Sequence, residues 1–223
     1  MEEELPEAES TAPAEPEKEH IPEVYTKRDW KEYLGESLLI IFSVILALVL
    51  TEYFNSLHEK KETEEILKNI RTELVQNEQN EQLQYAYHLK VLKSIDSVLV
   101  NPSLEKKLFV NGEFKLTAIA PRGILYRYLD HVAWDIAKDH NIYSKINFKI
   151  TSKLTHIYEE QSRVMKVEDA MAPIVLSFDS RKAENARVTL ILMRDTYHAW
   201  AVDRAEGLLH EYEDAIKLMD EEK

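Results

Sequence analysis

Cysteine is absent from the 223 residues, which excludes disulfides, thiolate zinc sites and a cysteine nucleophile. The absence leaves the compartment open, because a chain without thiols is indifferent to redox conditions. Glycine is nearly as rare, and four residues scattered along the chain cannot build a Gly-rich phosphate-binding loop. Proline is concentrated near the start, with only Pro102, Pro121 and Pro173 beyond the first 25 positions. A basic stripe is also missing. The formal charge is -13, whereas a nucleic-acid binder needs clustered Lys and Arg to neutralise phosphates, so no nucleic acid is expected as a partner. Few breakers and abundant Leu, Ile, Glu, Lys and Ala predict an all-α fold.

The charge is unevenly placed: residues 1 to 23 carry nine Glu against one Lys, leaving about -5 on the rest of the chain. With four Pro and few large apolar side chains, residues 1–26 read as a disordered acidic tail. Lys27, Arg28, Trp30, Lys31 and Tyr33 follow, and then ESLLIIFSVILALVLTEYF. Of the thirteen residues from Leu38 to Leu50, eleven are Leu, Ile, Phe or Val. On an insertion scale these favour a bilayer by about 3 to 7 kcal/mol. The segment 33–54 is twenty-two residues long, or about 33 Å as a helix, which matches a hydrocarbon slab with polar ends. Trp30 and Tyr33 flank one end and Tyr53 and Phe54 the other, where headgroup-level aromatics are enriched. The run is apolar on every side, which excludes a helix lying flat on a surface.

The expectation is a single transmembrane helix over 33–54 with the lipid bilayer as its partner. Its alternative is the buried core helix of a soluble domain, since apolar runs this short also occur there. No signal peptide of ordinary form is read, because the preceding region is long and acidic and no A-x-A-like site follows. Lys27, Arg28 and Lys31 on one side are matched by Lys60, Lys61 and Lys68 on the other, so charge alone sets no orientation. Glu36 is a candidate membrane-edge contact. Such a carboxylate can pair with a cation on a partner helix, or it can reach water beside Lys31.

Beyond the apolar run no turn signal precedes Asn101-Pro102, so the helix is expected to continue to Val100. Leu67, Ile70 and Leu74, then Tyr85, Leu89, Leu92, Ile95 and Leu99, follow helical spacing. Between them QNEQNEQ, Gln76 to Gln82, reads as a solvated part of the stalk, or alternatively as a polar registry device in a coiled coil. A brief helix through Phe109 should stop at Asn111-Gly112, with residues 113–121 irregular or extended. A helix from Ile124 to Lys138 would share a face of Leu125, Tyr128, Leu129, Val132 and Ile136. Asn147 can cap the next helix, Pro173 should kink or break it, and Asp179 or Ser180 should cap the last one. Residues 55–223 are thus expected to form an antiparallel helical bundle, with the transmembrane helix running into its first long helix.

Three stretches, GESLLIIFSVILALVL, ETEEILKNIRTELVQN and WDIAKDHNIYSKINFKITSKLTHIYEE, resemble a family of Gram-negative bacterial single-pass membrane proteins of uncharacterised activity. The likeness covers residues 34–75 and 125–165. It implies an inner-membrane anchor with the N-terminus in the cytoplasm and the helical domain in the periplasm. The acidic extension here departs from the basic N-terminal segments of that family.

Little in the chain has the pattern of a reactive site. Asp195-x-x-His198 and His156-x-x-Glu159-Glu160 have ligand-like spacing, but a bundle di-metal site needs paired Glu-x-x-His motifs on facing helices. His131 with Asp135, and His210 with Asp214, stand four apart as surface ion pairs do. No glycine pattern marks a nucleophilic Ser. Trp134 and Trp200 read as core rather than as a ligand cage. No cofactor, metal or catalytic residue is expected. The function expected is that of a membrane-anchored interaction or scaffold protein that docks envelope components or itself. The alternatives are a ligand-sensing bundle and a bundle metalloenzyme.

Overall fold

Helix α1 runs unbroken from Trp30 to Val100, 71 residues, as the lack of turn signals predicts. A computed structural model of the chain describes residues 29–110, 113–125 and 127–221. The expected acidic tail, residues 1–26, and the Asn111-Gly112 stop signal lie outside these. The fold is all-α. Helices α2 (Pro102–Leu108), α3 (Val132–Asp139), α4 (Phe148–Met165), α5 (Val167–Leu176), α6 (Ala186–Tyr197) and α7 (Asp203–Glu221) follow α1. The exception is an antiparallel pair of two-residue strands, β1 (Phe109–Val110) and β2 (Glu113–Phe114).

The chain divides into two compact units, residues 1–53 and 54–223. In the first, every residue from Trp30 onward is exposed. Its helix is long and apolar enough to cross a membrane. Its only polar side chains between Leu38 and Leu50 and at the following position are Ser43 and Thr51. Each donates to the carbonyl four residues back, Ser43 to Leu39 at 2.7 Å and Thr51 to Ala47 at 2.8 Å.

In the second unit, three rods account for most of the packing. The first is α1. The second is α4 followed by α5, parallel to α1: Tyr158 lies against Glu73 and Gln161 against Asn77. The third is α6 and α7, joined by a π-helical turn at His198–Val202 and antiparallel to α1. Arg187 bonds the Leu99 carbonyl at one end, and Arg71 forms a two-pronged ion pair with Asp220 at the other. The bundle is therefore made of three rods, and the second runs parallel rather than antiparallel to α1.

Each break follows from the side-chain pattern. The inward positions Met193, Tyr197, Ala201 and Ala205 are four apart, and repeated steps of four drift around a regular helix. The π-turn takes up an extra residue and returns the stripe to the core. The α4–α5 rod breaks at Lys166, not at the predicted Pro173, which sits inside α5. Lys166 lies where the rod passes between two apolar clusters. One contains Ile66, Ile70, Leu74, Leu154, Ile157 and Val164, and the other contains Val91, Ile95, Val167, Met171, Leu190 and Met193. Asn147 caps α4 as expected, accepting from the Lys149 amide at 2.8 Å. Asp179 and Ser180 do not cap the last helix, because 3-10 turns at Asp179–Arg181 and Ala183–Asn185 intervene before Ala186.

Leu154 is wholly buried whereas Leu192 is half exposed. Leu154→Ala should lower the unfolding free energy by about 2 to 5 kcal/mol and Leu192→Ala by less than about 0.5. Denaturant titration of the full chain followed by circular dichroism checks the contrast.

Candidate functional site

The helix expected over Ile124–Lys138 forms only from Val132 onward; residues 121–125 and 127–131 are irregular. Yet Ile124, Leu125 and Leu129 are buried, so the segment enters the core without helical hydrogen bonds of its own. Buried amides and carbonyls must then find partners elsewhere. They find them on α1. Tyr87 Oη donates to the Gly123 carbonyl at 2.7 Å and accepts from the Arg122 amide at 3.1 Å. Gly123 adopts a positive φ of 86°, which its missing Cβ permits.

The other rungs follow the same helix face. The Ile124 carbonyl accepts from Tyr197 Oη at 2.6 Å and faces His88 Nε2 at 3.2 Å. Gln84 Oε1 accepts from the Arg127 amide at 2.8 Å. The Asn77 side chain accepts from the Asp130 amide at 2.8 Å and donates to its carbonyl at 2.7 Å, as a paired strand would. Glu73 accepts from the Ala133 amide at 2.8 Å and so caps α3, whose own N-cap, His131, makes no capping bond. Gln161 completes the set, donating to the Asp130 carbonyl at 2.8 Å and accepting from Tyr212 Oη at 2.7 Å.

This overturns the reading of Gln76–Gln82 as solvated stalk. Asn77, Asn80, Glu81, Gln84 and His88 are buried. They continue the spacing of three and four that Ile66, Ile70 and Leu74 begin and that Val91, Ile95 and Val98 resume. The buried stripe is unbroken; only its polarity changes, to serve a neighbouring backbone. That continuity of spacing was the signal available in the sequence.

Two buried groups in this layer carry strained protonation. Glu81 has no exposed surface and accepts only from Gln84, at 3.4 Å, while its Oε1 has no partner. Burial pushes its carboxyl up to about 8, opposed by the Gln84 bond. Burial likewise lowers the His88 imidazole to about 4, against the pull of the Ile124 and Ala201 carbonyls. Nε2 faces a carbonyl and Nδ1 lacks a hydrogen-bond partner, which fits a neutral ring protonated on Nε2. Tyr197 packs edge-on against this ring at 5.1 Å.

Beside the ladder, a groove of about 990 Å³ opens between α3 and α4. Its floor is the Trp134 indole stacked flat on Tyr158, 5.4 Å between centroids. Exposed Tyr128 and Tyr143 stand on its walls. On its rim, Asp135 pairs with Lys138 at 2.7 Å and with His131 at 2.6 Å, and the hydrogen bonds from Lys138 and then His131 hold its carboxyl below the usual range. Among the described residues no lining hydroxyl hydrogen-bonds to His131.

The other sequence candidates are not brought together. His198 pairs with Asp203 and Asp195 with Arg194, while Glu160 bridges Arg163 and Arg204. His210 approaches Glu213 rather than the expected Asp214, which pairs with Lys153. Among the described residues no three His, Asp or Glu converge to hold a metal ion. Trp134 is core; Trp200 is half-buried, with the Arg204 guanidinium over its ring at 5.1 Å. Glu36, Trp30, Tyr33, Tyr53 and Phe54 all lie exposed on α1. No family model, curated protein or solved structure matches the chain.

Asn77→Leu should lower stability by about 1 to 3 kcal/mol through the orphaned Asp130 amide, although it adds apolar bulk to a buried site. Amide hydrogen exchange should show protection lost first between residues 122 and 133. The folded state holds the Glu81 proton up to about pH 8, whereas an unfolded Glu releases it near 4.5. Unfolding free energy should therefore fall as pH rises between those values, by at most about 1.4 kcal/mol per unit. His88, neutral when folded, opposes this below about 6.5. The net decline is expected between about 6.5 and 8, and Glu81→Gln should flatten it in denaturant titrations across pH.

Proposed function

We propose that this chain is a single-pass protein of the bacterial inner membrane whose helical unit, residues 54–223, is an interaction module on the periplasmic side. One observation carries the reading. The large apolar side chains from Leu38 to Leu50 are 46–67% exposed, with no protein surface covering them among the described residues. A helix apolar on all sides and left uncovered in water is a large exposed patch, and lipid is the solvent that removes its cost. The internal hydrogen bonds of Ser43 and Thr51 support the same reading, since polar groups in hydrocarbon must be satisfied within the segment. Trp30 and Tyr33 at one end and Tyr53 and Phe54 at the other suit headgroup contact, and Glu36 suits a pairing with a cation of a partner helix at the membrane edge. Compartment and orientation rest on the resemblance to anchored periplasmic proteins.

Docking of other envelope components, or of a second copy, is the activity proposed for the helical unit. The groove beside Trp134 and Tyr158 favours a second reading, a ligand-sensing bundle, since aromatic-floored grooves of this volume accept small molecules. A concentration-dependent rise in melting temperature with a small ligand, lost in Tyr143→Ala, would favour sensing.

The full chain should remain with membranes through alkaline carbonate and leave them only with detergent. Protease added to spheroplasts should digest the helical unit and spare the N-terminal tail. Release by carbonate would end the anchor reading, and the reverse protection pattern would place the domain in the cytoplasm.

A further inference from the structure

The link between α3 and α4 is basic in an acidic protein: from Lys138 to Lys153 there are four Lys and one acidic residue, Asp139. It also leaves aromatic side chains bare. Phe148, the first residue of α4, is 83% exposed and Tyr143 is 49% exposed, although neighbouring Ile142 and Ile150 are buried. Contacts fix where this link lies in its unit. Lys145 reaches Glu59 at 3.7 Å and His140 reaches Glu62 at 2.6 Å, both on the part of α1 just beyond Phe54. Glu59 is five residues from Phe54, so it lies about 7.5 Å further along the helix, and even a fully extended chain could not exceed about 18 Å.

Most charges at this end are paired, with Asp139 and Glu221 as further exposed acids. Glu59 and Glu62 are occupied by Lys145 and His140, Lys138 by Asp135, and Lys153 by Glu211 and Asp214. Lys60, Lys61, Lys149 and Lys217 carry no ion pair among the described residues. Phe148, Lys149 and Lys217 also line a hollow of about 600 Å³. Exposed aromatics interleaved with unpaired Lys, tied to α1 within about 18 Å of chain from Phe54, have the chemistry of a headgroup-binding surface.

We infer that the α3–α4 link, with Lys60 and Lys61, is a second membrane contact that binds the anionic phosphates of phospholipid headgroups and seats Phe148 and Tyr143 in the interface. This rests on the reading of residues 33–54 as a transmembrane helix. The contact tethers the base of the helical unit to the bilayer. Residual negative charge elsewhere on the unit is repelled by the same lipids, which favours this end over the others.

The absence of cysteine makes the test direct. The full chain, reconstituted into vesicles, carries one fluorophore at Ser152→Cys, at Ser97→Cys or at Ser43→Cys. Nitroxide-labelled lipids, on headgroups or acyl chains, serve as quenchers. Circular dichroism confirms that each variant keeps its helices. Acyl-chain quenching at position 43 checks the transmembrane reading separately. Headgroup quenching is expected at position 152 in vesicles containing phosphatidylglycerol, weaker in pure phosphatidylcholine, relieved by salt, and absent at position 97. Each of Lys60→Gln, Lys61→Gln and Lys149→Gln should lower the ratio of docked to undocked molecules about fivefold. Phe148→Ser should lower it further. Quenching at 43 with none at 152 in either lipid would overturn the second contact and leave the anchor standing. Equal quenching at 152 in both lipids would overturn the assigned headgroup chemistry. No quenching at 43 would remove the anchor and this contact together.

Discussion

Backbone amides that leave water need partners, and the described residues between Arg122 and His131 enter the core without a helix or sheet to supply them. The polar face of α1 meets that need. Glu73, Asn77, Gln84, Tyr87 and His88 recur along one face of the helix, and they bond backbone groups of residues 122, 123, 124, 127, 130 and 133. The α1 helix thus acts toward this segment as an edge strand acts toward its neighbour, with side chains in place of backbone. A helix so used tolerates little substitution, because each rung removed leaves a buried donor or acceptor orphaned.

That layer also organises the rest of the unit. It lies between two apolar clusters, one built on Ile66, Ile70 and Leu74 and the other on Val91, Leu92 and Ile95. The α4–α5 rod breaks where it passes from one cluster to the other, and the π-turn of the α6–α7 rod sets Ala201 toward the His88 ring. Local irregularities in two rods therefore coincide with a polar layer carried by the third. Glu81 and His88 are the cost of this arrangement: a carboxyl and an imidazole are held neutral in the interior, each with an atom that lacks a partner.

The proposed anchor and the proposed headgroup contact both follow from surfaces that no other described residue covers. In the segment up to Tyr53 these are aliphatic side chains, and at the α3–α4 link they are aromatics set among unpaired Lys. A bilayer would supply both environments, hydrocarbon for the first and anionic headgroups for the second. The groove over the Trp134–Tyr158 stack is different in kind, since it is concave and lined by the bundle's own side chains.

Composition and periodicity alone determined the helical class, the unbroken course of α1, the Asn147 cap and the apolar run from Leu38 to Leu50. These depend on local propensity and on chemistry within a few residues, which a sequence records directly. Tertiary structure decided the fate of QNEQNEQ and of residues 124–131. An Asn or Gln on a helix is equally at home in water or bonded to a buried backbone, and only the neighbouring chain selects between them. It likewise decided where the rods break, because Lys166 and the His198–Val202 turn answer to the position of the core and not to Pro173. The same reason separates Asp214 from His210: on an acidic surface several partners lie within reach, and packing against α4 gives Asp214 to Lys153.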